Sequence, residues 1–147
     1  RPFNVFGEMQ SEKAVISELI KKFINNDVVK ITKGKQTREF NYVGNTVNFL
    51  IKAMKNKKLF NNITNISDGN EISIKILEKK IQRLTKSKSK LIIGGIPERK
   101  TEIHRMKADT KKMRKFIDTK KNYSFDEGLG KTIEWYKKEK RLFFNNH

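Results

Sequence analysis

The chain has 147 residues, 35% of them hydrophobic and 34% charged, with a formal net charge of +18, which suits one folded, basic domain. It has no cysteine and two histidines, His104 and His147, which excludes disulfides and thiolate metal sites and argues against a histidine metal site. No apolar run approaches the ~20 residues that cross a bilayer, so a membrane protein is not expected.

The first segment, RPFNVFG, predicts a strand over Phe3–Phe6 that ends at Gly7. The next segment, SEKAVISELIKKFINN, has apolar residues at helical spacing and predicts a helix. Ser11 is its expected N-cap, and Asn25-Asn26 is its expected stop. A strand at the first residues, without a leading Met, suggests that further chain precedes it.

The following stretch predicts two extended segments and a second helix. VVKIT is short and β-branched, and QTREFNY has the composition of an extended segment. VGNTVNFLIKAM predicts a helix in which four apolar residues share one face: Val47, Leu50, Ile51 and Met54.

The remaining sequence continues the alternation of strands and helices. NNITNIS, KLIIGGI and EIHRMKAD predict strands, and a turn is expected at Ser67–Asn70. SIKILEKKIQRL predicts a helix capped by Ser73, and TKKMRKFI predicts a short one. Ser124 and Glu127 form a capping box at the start of the last helix. Strands that alternate with helices indicate an α/β fold.

Six segments, in this order and with these gaps, resemble the C-terminal half of the extended short-chain dehydrogenase/reductases that act as nucleotide-sugar epimerases and dehydratases. They are RPFNVFG, AVISELI, QTREFNYVGN, NISDGNEISI, ERKTEIHRMKADTKK and SFDEGLGKTIEWY. The resemblance implies the substrate-binding part of a Rossmann-type α/β enzyme, with the N-terminal Rossmann half absent. Residues 1–7 would then be a remnant of that half, 8–140 the substrate-binding subdomain and 141–147 a tail, all in one domain.

In that family, as the resemblance implies, the Rossmann half binds NAD or NADP and carries a catalytic Tyr-x-x-x-Lys pair, while the C-terminal half binds the nucleoside diphosphate. This chain has no Gly-x-Gly-x-x-Gly motif after a strand, and its one Tyr-x-x-x-Lys string, Tyr136 to Lys140, lies in the last helix. The chain alone is therefore predicted to be inactive, without a cofactor of its own. Its expected partners are a nucleoside-diphosphate sugar and a Rossmann half, and its expected location is cytoplasmic.

The resemblance also implies site residues. Arg38 and Arg99 stand where the family places arginines that reach the substrate diphosphate, and Asn4 matches an asparagine that contacts the sugar or diphosphate. Three apolar residues fall in segments that line the nucleotide pocket: Val15, Ile16 and Ile31. Gly34 would provide the tight turn before Arg38. No catalytic or metal-binding residue is expected in this chain.

The sequence departs from the family pattern in two places. Gly44-Asn45 replaces a common pair of aspartates, and Asn45 is still expected to cap the following helix. Lys33 and Lys35 add positive charge to the loop before Arg38, which would favour an anionic ligand.

Other interpretations of the same residues are open at this stage. Each arginine could be an ordinary surface residue, and the three isoleucine and valine positions could belong to the core. His104, Arg105 and Lys107 are expected to be exposed, and Trp135 and Tyr136 to pack. Two alternative functions are a non-catalytic fragment or pseudoenzyme that binds a partner protein, and a basic nucleic-acid-binding domain. Nucleic acid is not the expected partner, because the lysines are spread along the chain.

Overall fold

The computed structural model describes residues 1–144, with side chains described to residue 139. Strands and helices alternate along the chain, which confirms the predicted α/β class. The strands are β1 (Val5–Phe6), β2 (Val29–Ile31), β3 (Thr37–Glu39), β4 (Asn41–Tyr42), β5 (Glu71–Ser73), β6 (Leu91–Ile93) and β7 (Arg105–Met106). The helices are α1 (Val15–Asn25), α2 (Val43–Met54), α3 (Ile74–Thr85), α4 (Lys111–Phe116) and α5 (Phe125–Phe144), and a 3-10 turn spans Lys57–Leu59.

Within the described residues the strands form three small sheets. β1 pairs in parallel with β4, and β2 pairs in parallel with β6. β3 is the central strand of the third sheet, antiparallel to β5 and parallel to β7. Arg38 therefore lies between Ile72 on one side and Met106 on the other.

The main core lies where α1, α3 and α5 pack against one another and against β2 and β4. Leu77 and Ile81 of α3 are fully buried there, together with Ile20 of α1 and Leu129 of α5. These residues recur at helical spacing along each helix, so each helix presents one apolar face to the others. The apolar face predicted for α1 is confirmed.

Two predicted helix starts are confirmed. The Ser73 hydroxyl accepts a hydrogen bond from the Ile76 amide at 3.3 Å at the start of α3. At α5 the Glu127 carboxylate accepts from the Ser124 amide at 2.6 Å, and the Ser124 hydroxyl accepts from the Glu127 amide at 3.2 Å. This reciprocal pair is a capping box.

The predicted N-cap of α1 is wrong, although its predicted end is right. The helix begins at Val15 with Ala14 as its N-cap, and the Ser11 carbonyl instead accepts the Ala14 amide at 2.9 Å in a turn before the helix. Asn26 adopts the left-handed conformation, φ +57°, and its amide donates to carbonyls of the last turn, which ends the helix there.

Helix α2 differs from its prediction in two respects. Asn45 does not cap it, because Tyr42 is the N-cap and Asn45 lies in the first turn, buried. Its side chain accepts the Asn122 and Tyr123 amides and donates to the Tyr123 carbonyl, each at 2.8–3.0 Å, which ties α2 to the segment before α5.

The apolar face of α2 is also largely outside the core. Val47 and Ile51 are about half exposed and Met54 is 74% exposed, whereas the buried residues of the helix are Asn45, Thr46 and Phe49. Of the four residues on the predicted face, Leu50 packs against a core cluster and the other three are exposed.

Two strand predictions change in extent, and one strand was not predicted. The first strand covers Val5–Phe6 and not Phe3–Phe6, because Asn4 adopts a left-handed conformation. NNITNIS forms a single parallel bridge, between Ile66 and Pro2, in place of a strand. Glu71–Ser73 forms a strand, β5, that the sequence pattern did not indicate.

The last helix runs to Phe144, so residues 141–144 of the expected tail belong to α5. Residues 145–147, including His147, lie outside the described residues. Over residues 1–144, no helix has both the length and the apolar character needed to cross a lipid bilayer.

Candidate functional site

A cavity of about 360 Å³ lies between β3, the start of α1 and the segment that leads into β7. Four of the six predicted site residues line it, namely Asn4, Val15, Arg38 and Arg99. The two arginines are 61 positions apart in the sequence, and the fold brings both to the same cavity. Its size is within the range of small-molecule sites in proteins.

Arg38 is held by two hydrogen bonds from its guanidinium group. Nη1 donates to the Thr37 carbonyl at 2.8 Å, and Nη2 donates to Glu102 Oε1 at 2.7 Å. The Arg38 and Glu102 side chains are only 16% and 17% exposed, so this ion pair is largely shielded from water. The guanidinium group is therefore oriented before any ligand binds.

The neighbouring residue on β3 anchors the strand from the other side. Glu39 is fully buried, and its Oε2 accepts from the Ser67 hydroxyl at 3.0 Å and from the Ala108 amide at 2.7 Å. Because consecutive residues of a strand point to opposite faces, these bonds to Glu39 hold β3 while Arg38 lines the cavity.

Asn4 is held in an unusual backbone conformation beside the cavity. Its φ of +42° lies in the left-handed region, which asparagine tolerates better than most residues. The Asn41 amide donates to its carbonyl at 3.0 Å, and its own Nδ2 lies 3.6 Å from the sulfur of Met106. β4 and β7 together therefore position Asn4.

Arg99 belongs to an irregular and exposed segment, unlike Arg38. The Glu102 amide donates to the Arg99 carbonyl at 3.1 Å, which closes a tight turn over residues 99–102. This turn brings Arg99 and Glu102 to the same cavity.

The loop before Arg38 has the glycine turn that was expected. Gly34 has φ +65°, and a Cβ atom there would lie 3.0 Å from the Lys75 amide nitrogen, which itself donates to the Gly34 carbonyl. Glycine is required because a side chain would be both strained and crowded. Lys33 and Lys35 are exposed and do not line the cavity, so their charge acts on it only from a distance.

Ile16 and Ile31 do not line the cavity. Ile16 is 1% exposed and Ile31 is 7% exposed, and both belong to the main core. Val15, the residue before Ile16, is 37% exposed and does line it. The predicted contacts of Ile16 and Ile31 with a nucleotide stay a prediction.

Sequence reasoning missed five residues of the cavity lining, namely Gln36, Phe40, Ile74, Glu102 and Met106. One signal could have identified two of them. Alternate residues of an extended segment point the same way, so Gln36 and Phe40 belong with Arg38 on one side of QTREF. Nothing in the sequence pattern singled out Glu102.

The residues expected to be structural or exposed are placed as predicted. His104 is exposed, and the Arg105 and Lys107 side chains are 66% and 44% exposed. Both cations pair with the carboxylate of Glu71, and hydrogen bonds from Arg105 and Thr37 lower the pKa of Glu71 to about 2. These ion pairs lie outside the cavity, and one carboxylate offsets only part of the charge of the two cations.

Tyr136 is a core residue, which argues against a role in catalysis. It is 6% exposed, packs edge-on against Trp135, and donates its hydroxyl to the Gln10 carbonyl at 2.9 Å. The Lys140 side chain lies outside the described part of the chain. Among the described residues, no group of acidic or histidine side chains is arranged to bind a metal ion.

The sequence and the fold were compared with known proteins. Residues 1–67 match the family model described as NAD dependent epimerase/dehydratase family. UDP-N-acetyl-alpha-D-glucosaminuronate decarboxylase of Bacillus cytotoxicus is 32% identical over 148 residues, which cover 93% of this chain and 45% of that protein.

Solved structures of nucleotide-sugar epimerases are similar to this chain in fold. UDP-N-acetylglucosamine 4-epimerase from Methanobrevibacter ruminantium, in complex with UDP-N-acetylmuramic acid, is 28% identical with a TM-score of 0.82. UDP-glucuronic acid 4-epimerase from Bacillus cereus, in complex with UDP-glucuronic acid and NAD, has a TM-score of 0.83 at 21% identity, which shows the shared fold. Both alignments cover 95% of this chain, and 45% and 44% of those chains. The chain thus spans less than half the length of these relatives.

Proposed function

Because the chain belongs to the NAD-dependent epimerase/dehydratase family, we propose that it is the substrate-binding part of a nucleotide-sugar epimerase, dehydratase or decarboxylase. Its role is to hold the nucleoside diphosphate of the sugar nucleotide. The observation that carries this proposal is the convergence of Arg38, Arg99 and Asn4 on one cavity. The two alternatives, a protein-binding pseudoenzyme and a nucleic-acid binder, gain no support from the comparisons.

The chemistry of the cavity suits a diphosphate. A guanidinium group is planar and always charged, and it offers several N–H donors in a geometry that matches phosphate oxygens. Arg38 approaches from the rigid β3 and Arg99 from the turn over residues 99–102, so two phosphates can be bound from two directions. The Asn4 amide adds a neutral group for a sugar hydroxyl or a phosphate oxygen.

The proposed role of this chain is binding and orientation. In the intact enzyme NAD or NADP would accept and return a hydride, but this sequence has no glycine-rich dinucleotide motif after a strand. The one tyrosine at the spacing of a catalytic pair, Tyr136, is buried in the core. The residues of this chain therefore do not fit the cofactor, and their contribution is to hold the sugar in place.

A Rossmann half, in the same polypeptide or in a separate chain, is the proposed partner. Three observations support it: the partly exposed apolar face of α2, the exposed Phe60 and Ile63 beside it, and the two-stranded parallel ladder of β1 and β4. Parallel strands occur almost only in larger sheets that are covered on both faces. A parallel α/β unit that extends the ladder would also cover these residues. The expected cytoplasmic location stays a prediction.

Nucleotide titration tests the proposal. We expect isothermal titration of the 147-residue chain with UDP, at physiological salt, to give a dissociation constant between about 1 µM and 1 mM. GDP and dTDP titrated in the same way compare the bases. Arg38→Ala and Arg99→Ala should each weaken binding about tenfold, because each removes a charge-assisted hydrogen bond to phosphate.

A matched control separates the site from the general positive charge. Arg83 is 69% exposed on α3, pairs with Asp126 and does not line the cavity. Arg83→Ala should change the affinity less than about twofold. Absence of binding at millimolar nucleotide, or an equal loss in all three variants, would contradict the proposal.

A further inference from the structure

We propose that this chain has a second binding surface, a basic face that holds the phosphate backbone of a nucleic acid without reading its sequence. The basic face consists of residues 52–58, at the end of α2 and in the 3-10 turn, and residues 109–121, which include α4. It shares no residue with the arginine-lined cavity, so this inference does not depend on the proposed function.

The positive charge of the molecule is concentrated on the basic face, although lysines are spread along the sequence. Its 20 residues include ten lysines and arginines and two aspartates, which gives a net charge of +8. The other 127 residues carry the remaining +10 of the total of +18. The net charge per residue is therefore about five times higher on the basic face than elsewhere, and this density attracts polyanions.

The fold brings the two segments of the basic face together. Lys52 Nζ donates to Asp118 Oδ2 at 2.8 Å and to the Asp118 carbonyl at 3.1 Å. The Asn56 side chain donates to the Phe116 carbonyl. The end of α2 is thus bonded to the end of α4, and cations that are distant in the sequence lie on one surface.

A depression of about 370 Å³ lies at the junction of the two segments. Lys55 and Lys57 line it, together with the half-buried Phe116. Lys115 Nζ lies 5.6 Å from the centre of the Phe116 ring, which places a third ammonium group beside this residue. Three exposed lysines therefore lie at the depression or next to it, where one phosphate backbone can contact them together.

Most of these cations have no acidic partner within the part of the chain that the structure describes. Lys52 pairs with Asp118, and the other aspartate of the basic face, Asp109, accepts a hydrogen bond from a backbone amide at the start of α4. Elsewhere the carboxylates of Glu71 and Asp126 each pair with two cations. The unpaired cations of the basic face are thus available to an anionic ligand.

The residue types favour a nucleic acid over a protein as the partner. Nine of the ten cations are lysines, and the tenth is Arg114. Lysine is depleted at protein–protein interfaces, where arginine and aromatic residues are enriched. The lysine ammonium is a point charge on a flexible stem, which suits phosphates whose positions vary along a strand.

The packing of α4 argues against a membrane surface. A bilayer also attracts lysines, but helices that lie in its interface insert apolar side chains. The apolar side chains of α4, Met113 and Phe116, instead pack in a core cluster with Phe49 and Leu59. The outward side of α4 is therefore left to its cations.

Fluorescence anisotropy with a labelled oligo-dT of about 20 nucleotides tests the proposal. We expect a dissociation constant between about 1 and 100 µM at physiological salt, the range of non-specific binding. The triple variant Lys55→Gln, Lys57→Gln, Lys115→Gln should weaken binding about tenfold or more. It should also lower the slope of log affinity against log salt by about 2, since each lost phosphate contact contributes roughly 0.7.

The corresponding triple arginine variant keeps the charge and should keep the wild-type affinity. Because all three side chains are exposed, neither triple variant should change the free energy of unfolding by more than about 0.5 kcal/mol per position, which urea denaturation measures. A loss of affinity in the arginine variant as large as in the glutamine variant would overturn the inference.

Three exposed lysines outside the basic face provide the matched control: Lys30 of β2, Lys79 of α3 and Lys88 in the loop after α3. Changing all three to glutamine removes the same charge and should weaken binding less than about threefold. An equal loss in the two glutamine variants would show that only the overall charge attracts the oligonucleotide, and it would overturn the inference.

Two further measurements locate the binding and identify its partner. Saturating UDP should leave the affinity for oligo-dT unchanged, whereas competition would place the oligonucleotide in the arginine-lined cavity and overturn the inference. Vesicles of equal parts phosphatidylcholine and phosphatidylserine should bind the chain more weakly than oligo-dT does. Tighter binding to these vesicles, lost in the Lys55, Lys57 and Lys115 glutamine variant, would make a membrane the partner and overturn the inference.

Discussion

Helices α2 and α3 have the same length and both have apolar residues at helical spacing. The apolar face of α3 is buried in the core, whereas most of the apolar face of α2 is exposed. In α3, Leu77 and Ile81 are fully buried against α1 and α5. In α2, Val47 and Ile51 are about half exposed, while polar residues of the helix are buried. Apolar residues at helical spacing therefore identify the apolar face of a helix, but they do not show whether other residues of this chain bury that face.

The buried polar residues of α2 and α3 also differ in their hydrogen bonds. Asn45 of α2 is buried and has hydrogen bonds to residues 122 and 123. Glu78 of α3 is buried beside Leu77, and neither of its carboxylate oxygens has a hydrogen-bond partner among the described residues. The charged form of Glu78 therefore destabilises the core.

The largest expected effect comes from the closed core. Leu77→Ala should lower the free energy of unfolding by about 3 kcal/mol, because it removes a fully buried side chain and leaves a cavity between α1, α3 and α5. Urea denaturation followed by circular dichroism measures the change. A loss below 1 kcal/mol would mean that this core is not closed in solution.

A smaller effect is expected from pH. Burial raises the pKa of Glu78 to about 7, above an unfolded value near 4.5. Because the folded-state pKa is raised, the contribution of Glu78 to stability should be greatest below pH 4.5, fall as the pH rises to about 7, and then level off.

Glu78→Gln should remove this pH dependence, since it is neutral at every pH and has nearly the same shape. The variant should be more stable than the wild type at pH 8 and close to it at pH 4.5. Thermal unfolding at the two pH values measures both differences. An unchanged slope between them would show that Glu78 is not the group responsible.

The smallest effect is expected on the open face. Ile51→Ser should change the stability of the chain by less than about 0.5 kcal/mol, because the side chain is about half exposed on α2 and outside the core clusters. It should, however, reduce the binding of the dye ANS, which reports exposed apolar surface. A stability loss similar to that of Leu77→Ala would show that the apolar face of α2 is buried in solution, as that of α3 is.

Local signals predicted much of this molecule. The α/β class, the starts of α3 and α5 at Ser73 and Ser124, the end of α1 and the turn at Gly34 all depend on neighbouring residues. The resemblance to a family supplied the candidate arginines. The N-cap of α1 was wrong because a polar turn precedes the helix and Ala14 takes the cap position.

The remaining features of the site required the fold. Arg38 and Glu102 are 64 residues apart, and only the parallel pairing of β3 with β7 brings their segments together. Ile16 has helical spacing like Val15, but one faces the core and the other lines the cavity. A sequence pattern cannot distinguish these positions, because both are apolar and adjacent.

The sequence by itself determined the alternation of strands and helices, the caps of α3 and α5, the turn at Gly34 and the residue types available at the cavity, since these depend on interactions within a few residues. Only the tertiary structure decided which residues share the cavity, that Glu102 pairs with Arg38, and that the apolar face of α2 stays open. Those outcomes depend on contacts between segments that are distant in the sequence. A local sequence pattern gives no information on how close two such segments lie in the fold.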